Sequence, residues 1–72
     1  MAFKFLACST KTNHCFHVTI ENDCLHDAFH ELRETLNCTD LSYFLYNEPI
    51  QFSGLLKRNN KAVFFVSFAK DN

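Results

Sequence analysis

Residues 50–69 read IQFSGLLKRNNKAVFFVSFA, and the fold turns on how this stretch is divided. Its second half is strand-like. Ala62, Phe64, Val66 and Phe68 alternate with Val63, Phe65 and Ser67, so both faces of the strand carry apolar side chains. The first half admits two readings. In one, Ile50, Gln51 and Phe52 make a very short strand, and Leu55 and Leu56 lie in a loop leading through the polar turn KRNNK. In the other, IQFSGLLK pairs directly with KAVFFVSFA as a long hairpin whose register also sorts the apolar residues. Just upstream, SYFLYN (42–47) is aromatic and strand-like. Asn47 and Glu48 mark a turn, and Pro49 is confined to an edge or strand-start position.

The N-terminal third is clearer. Phe3, Phe5 and Ala7 alternate with Lys4, Leu6 and Cys8, and STKTNH (9–14) suits a turn. Phe16, Val18 and Ile20 then alternate with Cys15, His17 and Thr19. An antiparallel hairpin with Cys8 opposite Cys15 places Ala7, Phe5 and Phe3 against Phe16, Val18 and Ile20, and Leu6 against His17. Asp23 is expected to cap a helix over CLHDAFHELRETLN (24–37). Leu25, Ala28, Phe29, Leu32 and Leu36 form its apolar stripe, and Asn37 is suited to close it in a left-handed conformation.

Composition narrows the class. The chain has 72 residues, 47% hydrophobic and 21% charged, which fits one folded domain spanning 1–72. Nine Phe supply much of the core volume. A net charge of −1 provides no field for nucleic acid, and Lys57, Arg58 and Lys61 read as a solvated turn. No apolar run approaches the roughly 20 residues of a membrane span. In MAFKFLACS the apolar piece is short and interrupted by Lys4, so the start is expected to be mature structure and the compartment cytosol or nucleus. Four Cys could make two disulfides, but without an export signal that reading weakens, because reducing compartments keep thiols free, and one Gly and one Pro do not suit a disulfide-stapled scaffold.

The order hairpin, helix, strand, short strand, loop, strand resembles ubiquitin and its β-grasp relatives over nearly the whole chain. MAFKFLACSTKTNHCFHVTIE (1–21) is similar to the family's opening hairpin, SYFLYNEPI (42–50) to its third strand, turn and short fourth strand, and LLKRNNKAVFFVSFA (55–69) to its last loop and strand. The resemblance implies an α+β β-grasp roll, β-β-α-β-β-β, whose mixed sheet has its first and last strands side by side and one helix on one face. The other face would be open. Val63, Phe65 and Leu6 would lie on it, and Phe44 would match the position where ubiquitin-like proteins carry the central residue of their apolar patch. Conjugated members end in Gly-Gly. This chain ends in AKDN, so attachment through its C-terminus is not expected, and a docking domain of a longer protein fits better.

The expected function is thus a ubiquitin-like protein-binding module without cofactor or catalysis. Its anchors would be Leu6, Phe44, Val63 and Phe65, with Lys4, His17 and the Lys57–Arg58 turn as a polar rim. A viral or phage inhibitor that occludes a host protein, or a zinc-stabilised nucleic-acid binder, are the other classes compatible with this composition. Cys8, Cys15 and His17 share the outer hairpin face and offer thiolate and imidazole ligands, although C-x6-C is not a zinc-knuckle spacing. His26 and His30 have two-ligand spacing on the helix, and also read as surface histidines among acids. There is no phosphate loop and little chain from which to build a water-excluding pocket.

Overall fold

The computed structural model describes residues 1–46 and 51–69. In it Asn59 and Asn60 have φ of 52° and 66°. Two successive left-handed residues make the type I′ turn whose twist matches that of paired strands. Asparagine is among the few residues besides glycine that adopt this conformation readily. The flanking segments, β4 (Gln51–Arg58) and β5 (Lys61–Phe68), accordingly pair as an antiparallel hairpin. Of the two readings of this stretch, the long hairpin is the one the molecule adopts. The expected turn at Asn47, Glu48 and Pro49, with Ile50, lies outside the described residues.

The remaining elements are β1 (Ala2–Ser9), β2 (Cys15–Glu21), α1 (Leu25–Thr35) and β3 (Asp40–Tyr46). The strand order is β2-β1-β5-β4-β3. The β1–β2 register is the expected one, with Cys8 opposite Cys15, Phe5 opposite Val18 and Leu6 opposite His17.

The sheet is not the mixed sheet of a β-grasp roll. The first and last strands are neighbours, but β1 and β5 run antiparallel, as does every other pair in the sheet. The cause is β4, which is a full strand and not a short strand followed by a loop. It adds a reversal of chain direction before β5. The antiparallel pairings also leave the two edge strands, β2 and β3, pointing the same way. The segment between them must carry the chain from one edge to the other, so α1 lies across one face of the sheet.

That face is the core. Phe5, Ala7, Ile20, Phe52, Leu56 and Val66 from the sheet are buried with Ala28, Phe29 and Leu32 from α1. Phe5 is central, with ring centroids of Phe29, Phe52 and Phe68 at 5.7, 5.9 and 5.7 Å. Phe29 stacks on Phe52 at 4.7 Å and tilts against Tyr43 at 4.3 Å. Room for these rings comes from Gly54, which is buried between Tyr43 and Val66 in the register. A Cβ at Gly54 would sit 2.7 Å from Phe52 Cζ and 3.0 Å from Val66 Cγ2.

The helix ends are built differently. Asp23 is not the N-cap. That position falls to Cys24, which makes no side-chain cap bond, while Asn22 Oδ1 accepts the Cys24 N–H at 3.0 Å. At the other end Asn37 is left-handed with φ of 54°, as expected. The Asn37 and Cys38 N–H groups donate to the carbonyls of Glu34 and Arg33, the paired bonds of a Schellman motif. Arg58 completes the end. Its Nε and NH2 groups donate to the Asn37 and Leu36 carbonyls at 2.7 and 2.8 Å. A cation is well placed there, because helix carbonyls lack partners at this end and carry its negative dipole.

Candidate functional site on the open sheet face

No described element covers the face of the sheet opposite α1. Strand alternation assigns its residues. On β1 they are Lys4, Leu6 and Cys8, opposite Thr19, His17 and Cys15 of β2. Across β1–β5, Cys8 pairs with Phe65 and Leu6 with Ser67. Across β5–β4, Phe65 pairs with Leu55 and Ser67 with Ser53, and Ser53 in turn pairs with Phe44 of β3. One row therefore reads Cys15, Cys8, Phe65, Leu55 from β2 to β4, apolar throughout. The next reads His17, Leu6, Ser67, Ser53, Phe44.

Of the four expected anchors, three stand on this face as separate contributions. Phe65 is 59% exposed and sits mid-row, Phe44 is 74% exposed on the far edge strand, and Leu6 is half-buried. Phe44 and Phe65 are separated by β4, and Phe44 stands opposite Ser53 while Phe65 stands opposite Leu55, so Phe44 lies outside the Phe65 row. Val63 is placed differently. Between Leu56 and Lys57 the β4–β5 register shifts, from Leu56 opposite Phe64 to Lys57 opposite Ala62. Val63 is the extra residue of this bulge, and it packs, half-buried, against the core cluster. Of the expected rim, Lys4 and His17 are exposed, whereas Arg58 is occupied at the helix C-terminus.

Leu55 was missing from the sequence-derived site. The signal for it lay in the long-hairpin register of residues 51–68, which fixes Leu55 opposite Phe65. Tyr46, 52% exposed, extends the apolar surface beyond Phe44 along the edge strand.

The hairpin cysteines are not free thiols. Cys8 and Cys15 form a disulfide, with their Cα atoms 4.0 Å apart. The register explains the proximity. The Ser9 N–H donates to the His14 carbonyl, so the next pair along, Cys8 and Cys15, is a non-hydrogen-bonded pair, where opposed residues approach most closely. With both sulfurs bonded to each other, the zinc set Cys8, Cys15 and His17 lacks its thiolates. Among the described residues no group of three or more His, Cys, Asp or Glu side chains is arranged to hold a metal.

The other two cysteines differ sharply. Cys24 is exposed and Cys38 is buried under the helix C-terminus. Burial pushes the Cys38 thiol above its ordinary value of 9.0, while Arg58, and less strongly Arg33, pull it back. A thiol kept protonated in this way is a packing group and not a nucleophile.

Comparison with family models, with curated proteins and with solved structures finds no match. Among the described residues no helix is long and apolar enough to cross a membrane.

Proposed function

We propose that the protein is a binding module, without catalysis, that recruits a protein partner through the open sheet face. Phe65 is the central anchor, with Leu6, Leu55 and Phe44 around it and Lys4 and His17 at the rim. The supporting observation is the continuous apolar row Cys15–Cys8–Phe65–Leu55, in which a phenylalanine is 59% exposed although the domain has another face that buries its rings. Contiguous apolar area on a solvated face is the usual mark of an interaction site, and aromatic side chains dominate the energetics of such sites. The proposal keeps the docking role implied by the ubiquitin-like resemblance but does not depend on a β-grasp sheet. The Cys8–Cys15 bond and the cytosolic or nuclear setting expected from the N-terminal sequence pull in opposite directions, because reducing compartments keep thiols free.

The test is affinity capture from the native source with wild type and Phe65→Asp side by side, each first checked by circular dichroism and thermal unfolding. Phe65→Asp is expected to remain folded and to lose the partner by ~30-fold or more, the effect of removing an interface hot spot. Equal capture by the two proteins would remove Phe65 from the interface. Unfolding of the variant would make Phe65 a core residue.

A further inference from the structure

On the opposite side of the molecule, His26, His30, Arg33, Asp40 and Tyr43 line a cleft between α1 and β3. We propose that His26 and His30 form a two-histidine chelate there for a divalent transition-metal ion of the Zn²⁺ class.

Spacing of four residues places both side chains on one side of the helix. Their Nε2 atoms are 3.3 Å apart and the rings stand nearly perpendicular, at 85°. Two imidazole nitrogens bound at about 2.0–2.1 Å to one tetrahedral Zn²⁺ lie roughly 3.3–3.4 Å from each other. The donor separation that an ion requires is thus present in the metal-free protein. An Nε2–Nε2 hydrogen bond requires one ring to donate its Nε2–H to the other's lone pair; for both Nε2 lone pairs to face an ion, that ring must carry its proton on Nδ1 instead.

The surroundings favour a cation. Asp40 lines the same cleft, its Oδ1 accepting the Leu41 N–H at 2.8 Å. Arg33 also lines it; its NH1 donates to the Cys38 carbonyl at 3.2 Å and its NH2 lies 4.0 Å from Glu34 Oε1. Neither Asp27 nor Glu31 lines the cleft, and Glu31 Oε1 accepts from Asn22 Nδ2 at 2.9 Å. With only two protein ligands among the described residues, water completes the coordination, and the imidazole donors select for transition metals over Mg²⁺ or Ca²⁺.

Isothermal titration with ZnCl₂ tests this on the full chain, in a Cys24→Ser background that removes the exposed thiol as a competing ligand. One equivalent of Zn²⁺ is expected to bind. His26→Gln and His30→Gln are each expected to weaken it by more than about 10-fold, since even an outer-shell change costs a metal site that much. A His14→Gln/His17→Gln double variant is expected to bind as the parent does. Both helix histidines are exposed, so folding should be unaffected, and circular dichroism checks that. Absence of Zn²⁺ binding, loss of it in the Cys24→Ser background, or affinity unchanged in His26→Gln and His30→Gln would each overturn the assignment.

Discussion

Phe65 and Val66 are neighbours on the central strand and both are apolar, yet Val66 is 3% exposed and Phe65 59%. The same contrast holds on β1, where Phe5 is fully buried and Leu6 only partly so. Hydrophobicity does not distinguish the members of either pair. The helix does: of these pairs, the members that point at α1 are sealed, and those that point away remain available. Among the described residues the five-stranded sheet has one helix, which leaves one of its faces uncovered. This chain fills the centre of that face with Phe65, Leu55 and a disulfide where an isolated domain usually places polar residues.

The contrast breaks most severely at Phe5 and Leu6. Phe5→Ala removes the ring shared by Phe29, Phe52 and Phe68 and should cost about 3–5 kcal/mol. That is much of the stability available to a domain of this size. Leu6→Ala, on the other face, should cost less than ~1 kcal/mol. Urea unfolding of the two variants measures the difference, and equal losses would mean that the open face is cohesive in its own right.

Next in size is the covalent link on the open face. Cys8 and Cys15 close a short loop, with a sequence separation of 7. The Cys8→Ala/Cys15→Ala variant should lose about 2–3 kcal/mol, on the chain-entropy account of such bridges. An unchanged urea midpoint would show that the hairpin register holds without the bond.

The smallest expected effect sharpens the contrast at a single position on β4. Gly54→Ala drives a methyl into the Phe52 ring and Val66, for about 1–2 kcal/mol. Ser53→Ala, one residue earlier and on the open face, should stay within roughly 0.5 kcal/mol. Thermal unfolding of the pair separates them, and equal melting temperatures would mean that the core has slack around Gly54.

Much of the fold is legible in residue order. The β1–β2 register follows from two strands whose alternation must be sorted at once, and the helix stripe Ala28, Phe29 and Leu32 follows from its period. The site is less legible. Phe65 is visible as an apolar residue in excess of one face and Phe44 only through the resemblance, while Leu55 becomes part of the patch only through β4–β5 pairing. Val63 leaves the patch through a bulge that alternation cannot show, because one inserted residue changes the pairing without changing the pattern. Asp23 loses the cap to Cys24 although its residue type suits the role, because the Asx bond from Asn22 sets the approach to the helix.

The sequence by itself determined the paired N-terminal strands, the amphipathic helix and a final strand apolar on both sides, since each is a local periodicity that a short segment carries unaided. Tertiary structure decided the direction of the last strand, the union of Phe65 with Leu55 and the Cys8–Cys15 bridge, and the closure of the helix by Arg58. These depend on which strands become neighbours, and in this chain two left-handed asparagines and one full-length fourth strand set that arrangement.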